Sequence, residues 1–65
     1  MTLEDLKNYF GNGNRFEKET GISHTSWGNW FKDYGFVPIR SQRKIEIITQ
    51  GALKADLKDL PDVDY

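Results

Sequence analysis

Apolar residues recur at helical spacing through the first half of the chain, and glycine interrupts them at intervals. Leu3, Leu6 and Phe10 form one inward stripe, ended by Gly11. Thr2 stands ahead of it as an N-cap with Asp5 at N3, where a carboxylate also suits the helix dipole. Phe16 and Thr20 share the inner face of a second short helix that starts at Asn12 or Asn14. An Asn14 cap would place Glu17 at N3 of a capping box, leaving Glu17 and Glu19 solvated. Gly21 ends this helix, because glycine enters the left-handed region without a Cβ penalty. Ser23 then offers its hydroxyl to the first N–H groups of a third helix. With that cap, Ile22 falls at N′ and Trp27 at N4, the two positions of a hydrophobic staple. Trp27, Trp30, Phe31 and Tyr34 follow at i, i+3, i+4 and i+7, which predicts an aromatic ridge facing the core. Two short helices across a Gly-containing turn form a helix-turn-helix.

The second half reads two ways. Pro38 biases Val37 to an extended conformation after Gly35, and Phe36 and Val37 are expected to fold back over the core. Ile45-Glu46-Ile47 alternates like a strand, with Gln50-Gly51 as a hairpin tip. Against that, Ile45 and Ile48 fit a helical face, and Leu53, Leu57 and Leu60 punctuate a segment rich in helix formers. The favoured pattern is a helix to about Gln50, a break at Gly51 and a short last helix before Pro61. The expected fold is therefore all-α, a compact bundle of about five short helices containing a helix-turn-helix. The alternative is α+β with a C-terminal β-hairpin. Residues 1–60 make a single domain and 61–65 a frayed tail.

The third helix carries the candidate chemistry. Opposite its aromatic ridge lie Thr25, Asn29 and Lys32, with Gly28 and His24 at the edge. Small hydrogen-bonding groups and one cation suit a helix laid in the DNA major groove. Asn pairs bidentately with adenine, Thr bonds a base edge or touches a thymine methyl, and Lys reaches guanine or phosphate. A glycine inside a helix costs about 0.5–1 kcal/mol relative to alanine, and close approach to a partner would justify Gly28. The same polar face would be plain solvated surface on most helices; the paired-helix context is what favours the DNA reading. His24, alone in the first turn, reads as an exposed or phosphate-side residue rather than a ligand. Arg15, Lys18 and the start of the second helix are open to phosphates.

Charge qualifies this picture. The chain of 65 residues has a net charge of −1, which disfavours nucleic acid. The distribution softens the objection, because residues 1–54 hold eight Lys/Arg and six Asp/Glu, whereas 55–65 hold one Lys and four Asp. Lys32, Arg40, Arg43 and Lys44 are the cations nearest the proposed groove helix, and the acidic end should point away. There is no cysteine, so neither disulfides nor thiolate metal sites enter, and no apolar run is long enough for a membrane span. No Gly-rich phosphate loop, metal-spaced ligand set or nucleophile–base pair is present, and acidic neighbours such as Glu4 and Asp5 face different ways on a helix. The expectation is a non-enzyme with no cofactor, no metal and no small-molecule substrate, acting in a bacterial cytoplasm near the nucleoid.

Phe10-Gly11, Gly21-Ile22-Ser23, Trp27, Trp30 and the run Ile45-Glu46-Ile47-Ile48-Thr49-Gln50-Gly51-Ala52-Leu53-Lys54 together resemble the Cro repressors of lambdoid bacteriophages, and most closely their all-helical members. The resemblance covers roughly residues 2–60. It implies a transcriptional repressor that reads operator half-sites in double-stranded DNA. Such a repressor binds as a homodimer on DNA and is weakly associated or monomeric without it. It further implies a recognition helix over 24–33, with base readout by His24, Thr25, Gly28 and Asn29. Phosphate contacts would come from Asn12, Asn14, Arg15, Ser23, Ser26, Lys32, Arg40 and Arg43. Phe36 and Ile47 are candidates for the subunit contact. Glu17 and Thr20 depart from the family, which places a small residue and an aliphatic there. Either a capping box turns Glu17 outward, or the first motif helix is shortened or displaced. A helix-turn-helix used as a protein-interaction module, without DNA readout, is the alternative that Glu17 and the acidic balance motivate.

Overall fold

The computed structural model describes residues 1–60, so the tail expected at 61–65 lies outside the described residues. Over that range the protein is all-α. Helix α1 spans Leu3–Phe10, α2 Gly13–Thr20 and α3 His24–Asn29, which continues directly into a π-helical turn, Trp30–Tyr34. Helix α4 spans Ile39–Ile48, and a 3₁₀ turn, Leu57–Asp59, is the last element among the described residues. No strand occurs among the described residues, so the hairpin alternative for 44–57 is not taken.

The caps explain where the first helices begin. Thr2 Oγ1 accepts from the Asp5 N–H at 3.0 Å and Asp5 Oδ2 from the Thr2 N–H at 2.9 Å, the expected reciprocal box. In α2 the cap is Asn12, whose Oδ1 accepts from the Arg15 N–H at 2.9 Å. Asn14 is therefore inside the helix and the Asn14–Glu17 box does not form. Starting at Asn12 places Gly13 in the first turn, against α3. A Cβ on Gly13 would sit 3.1 Å from Trp27 Cδ1 and 3.5 Å from His24 Cβ. Any side chain there would press on the Trp27 ring, which would have to give by a few tenths of an ångström.

The core gathers Met1, Leu6, Phe10, Phe16, Trp30, Val37, Ile45 and Leu53, with Leu3, Ile22 and Trp27 packed against it. Phe16 is its centre. Its ring meets Phe10 edge-on at 5.1 Å, Trp27 at 5.0 Å and Trp30 edge-on at 5.7 Å, tying α1, α2 and α3 together. Thr20 is buried without an unmet hydrogen bond: its hydroxyl donates to the Phe16 carbonyl (2.7 Å) and accepts from the Ile22 N–H (3.0 Å). The threonine thus also braces the turn that follows.

The aromatic ridge is only half inward. Trp30 is buried and Trp27 partly so, but Phe31 is 37% and Tyr34 52% exposed. The cause is the change of helical pitch at Trp30, where the Gly35 N–H bonds the Trp30 carbonyl at 2.8 Å, an i→i+5 link. Each π turn takes up an extra residue, so side chains after Trp30 fall out of the α-helical register. Phe31 stacks on Trp27 at 4.8 Å and Tyr34 on Phe36 at 5.8 Å instead of entering the core.

The last expected helix, over 52–60, shrinks to the 3₁₀ turn, and side chains of α4 and its C-cap Thr49 take backbone N–H groups of the segment before it. Thr49 Oγ1 accepts from the Leu53 N–H, Glu46 Oε1 from Ala55 and Gln42 Oε1 from Asp56. Gln42, fully buried, is the hub. Its Oε1 also accepts from the Met1 α-ammonium at 2.9 Å, while its Nε2 donates to the Val37 carbonyl at 2.8 Å. The ammonium is completed by the Lys54 carbonyl (2.7 Å) and the Asp59 carboxylate (2.9 Å). Nothing in the apolar pattern marks Gln42 for this role. Replacing it with methionine keeps the shape and leaves two groups unpaired, the Asp56 N–H and the Val37 carbonyl, each costing about 1–3 kcal/mol, while the Met1 ammonium keeps its other two partners. Urea denaturation of Gln42→Met should therefore show a loss of about 2–4 kcal/mol; a loss below about 1 kcal/mol would mean these groups find other partners.

Candidate nucleic-acid interface

Helices α2 and α3 are joined through residues 21–23, an arrangement compatible with a helix-turn-helix. Gly21 takes φ +76° and its N–H closes α2 on the Glu17 carbonyl at 2.8 Å. Ser23 caps α3, its Oγ accepting from the Thr25 N–H at 3.1 Å. The first N–H of α3 is met from the other helix. Glu17 Oε1 accepts from the His24 N–H at 2.8 Å and also from His24 Nδ1 at 2.8 Å. The side chain reaches over the turn to cap the next helix, and neither a capping box within α2 nor a displaced helix is needed.

The residues expected to read bases stand together on α3. His24, Thr25 and Asn29 are exposed and Gly28 half-buried. No neighbour lies within 4 Å of the position a Cβ would take at Gly28, so packing within the chain does not demand glycine there. Thr25 and Asn29 lie one α-helical turn apart. Lys32 is exposed but belongs to the π turn, so it does not continue their line in α-helical register. The helix expected over 24–33 is thus α-helical only to Asn29.

The phosphate candidates divide into groups. Asn12, Asn14 and Arg15 are exposed at the start of α2, and the close contact at Gly13 brings that end beside His24. Asn12 spends its carbonyl oxygen on the cap, leaving its amide N–H groups to donate outward. The Arg15 guanidinium holds Glu19 at 3.2 Å, an exposed pair weak enough to yield to a phosphate. Ser23 is exposed and Ser26 half-buried on α3, while Arg40 and Arg43 are exposed on α4, a separate element. Ile47, a candidate for a subunit contact, is 77% exposed, whereas Phe36 is half-buried beneath Tyr34. No helix among the described residues is long and apolar enough to cross a membrane.

The Glu17 carboxyl is held below its ordinary value of 4.5, first by the His24 backbone N–H and then by its ring. The Asp5 carboxyl is held below 3.8, chiefly by the Thr2 N–H. A carboxyl depressed in the folded chain contributes fully above its unfolded value, and that contribution fades as pH falls through the folded one. Melting temperature should accordingly decline as pH drops below about 4.5. Thermal melts of Glu17→Gln across that range should fall less steeply than wild type; superimposable slopes would show that Glu17 contributes nothing.

No family model, curated protein or solved structure matches this chain, so its likeness to the Cro repressors stands on the residues quoted above.

Proposed function

We propose that this protein is a sequence-specific DNA-binding repressor of Cro type. In this reading α3 enters the major groove of an operator half-site. The observation that carries the reading is the uncovered outer side of α3, where His24, Thr25 and Asn29 are exposed together beside an open Gly28. The polar start of α2, brought alongside by Gly13, is suited to the flanking phosphates. Two copies would engage a near-palindrome, weakly associated in its absence, with the exposed Ile47 near their contact.

A second reading has its own observation. The Glu17 carboxylate stands at the start of α3, where it repels phosphate, and this favours a protein-interaction module that reads no DNA. Titration with duplex DNA separates the two. Repressor function requires a logarithm of affinity that falls linearly with the logarithm of salt concentration, whereas the interaction module predicts no salt-dependent shift.

Asn29→Ala should cost about 1–3 kcal/mol at one base position and relax specificity there, whereas Lys32→Ala or Arg43→Ala should weaken all sequences and lower the salt slope by about one. Equal losses on operator and random DNA for all three would remove Asn29 from base readout. Gly28→Ala separates folding from binding. It should raise helix stability by about 0.5–1 kcal/mol, since nothing blocks the methyl, while weakening DNA binding through a steric clash in the groove. Calorimetric melts paired with mobility shifts check both signs, and an alanine variant that binds as tightly as wild type would exclude close approach at Gly28.

A further inference from the structure

His24 and Glu17 together have a chemical consequence for readout. A carboxylate oxygen offers only lone pairs, and Glu17 Oε1 faces His24 Nδ1 at 2.8 Å. That geometry requires a proton on Nδ1. A neutral imidazole carries one ring proton, so Nε2 is left bare and can only accept. The same oxygen also holds the His24 backbone N–H, so ring and helix start are anchored at one point. Turning the ring over would forfeit the side-chain bond. The imidazole is 58% exposed, and Glu17 is its one ion-pair partner among the described residues. Of the other charges on α2, Arg15 is turned to Glu19, and Lys18 is exposed. Helix α3 carries no further charged side chain, and Lys32 and Asp33 lie beyond it in the π turn.

We propose that Glu17 is a positioning residue for specificity, holding His24 as an acceptor so that it reads the exocyclic amine of adenine or cytosine. Guanine and thymine present acceptors on the corresponding major-groove edge and are rejected, since two lone pairs would face each other. The proposal rests on the DNA reading above, but its first test does not. Long-range ¹H–¹⁵N correlation spectra of the full chain at pH 8 should show Nδ1 protonated and Nε2 bare, and Glu17→Ala should release the ring to both tautomers. A wild-type ring protonated at Nε2 overturns the proposal by itself.

The second test selects bound sequences from a random duplex pool with wild type, Glu17→Ala, Glu17→Gln and His24→Ala. Wild type should favour adenine or cytosine at one position by about tenfold or more. That preference should collapse in His24→Ala and Glu17→Ala and weaken in Glu17→Gln, while the preference lost in Asn29→Ala stays. Glu17→Gln retains an acceptor for the His24 N–H, so it guards against a variant that merely fails to fold. A preference untouched by all three substitutions overturns the proposal. A wild type that selects no sequence overturns the DNA reading and this readout with it, whereas a wrong ring tautomer overturns this readout alone.

Discussion

One aromatic side chain holds this small domain together. Phe16 is fully buried at the meeting point of α1, α2 and α3, with Phe10, Trp27 and Trp30 each within 6 Å of its ring centre. Edge-to-face pairs of this kind add about 0.5–1.5 kcal/mol beyond the area they bury, a large share of the few kcal/mol a core this size supplies. No disulfide supplements it. Helix α3, six residues long before the pitch changes, could not persist alone, since isolated helices under about 12–15 residues are marginal in water. Its orientation therefore depends on Trp27 and Trp30 being held against Phe16. Gly13 makes the geometry possible from the other side, by removing the one side chain that would push α2 off Trp27.

Around that knot the polar groups are as fully employed as the apolar ones. No buried side-chain nitrogen or oxygen lacks a partner among the described residues. Thr20 and Gln42 are the two buried polar side chains among the described residues, and each bonds a stretch of irregular backbone rather than merely being tolerated. Thr20 stitches the turn between α2 and α3. Gln42 binds residue 56 and the Met1 ammonium on one oxygen, pinning both against α4. Low local dielectric makes such a network strong when complete and costly when broken. The segment between α4 and the 3₁₀ turn stays non-helical for this reason, although its own residues favour helix.

The consequence for the candidate interface is a division of labour between helices. The chain's charge is nearly balanced, and the carboxylate of Glu17 stands where phosphates would approach. A bare carboxylate there would oppose DNA. Bonded to both the backbone and the ring of His24, it serves as the cap of α3 and sets the state of the side chain beside it. The outer side of α3 is left to small polar groups, and the candidate phosphate-contacting cations lie on α2, the π turn and α4.

Much of this was legible in the residues alone. Thr2, Gly21 and Ser23 mark helix ends because capping is local chemistry between a side chain and its own next turn. Phe10 and Phe16 mark the core because burial follows helical periodicity. The exposure of Thr25 and Asn29 follows from the same period, measured from Trp27 and Trp30. What spacing could not reveal was every feature set by a partner distant in the chain or by a change of period. The π turn moved Phe31 and Tyr34 outward. Side chains of Gln42, Glu46 and Thr49 outcompeted helix formation after Gly51. Glu17, assigned locally to its own helix or to solvent, bridged to His24 seven residues on. Local sequence determined which segments coil and which faces are greasy. Tertiary structure alone decided which backbone groups would be claimed by remote side chains, because those bonds exist only once the helices have met.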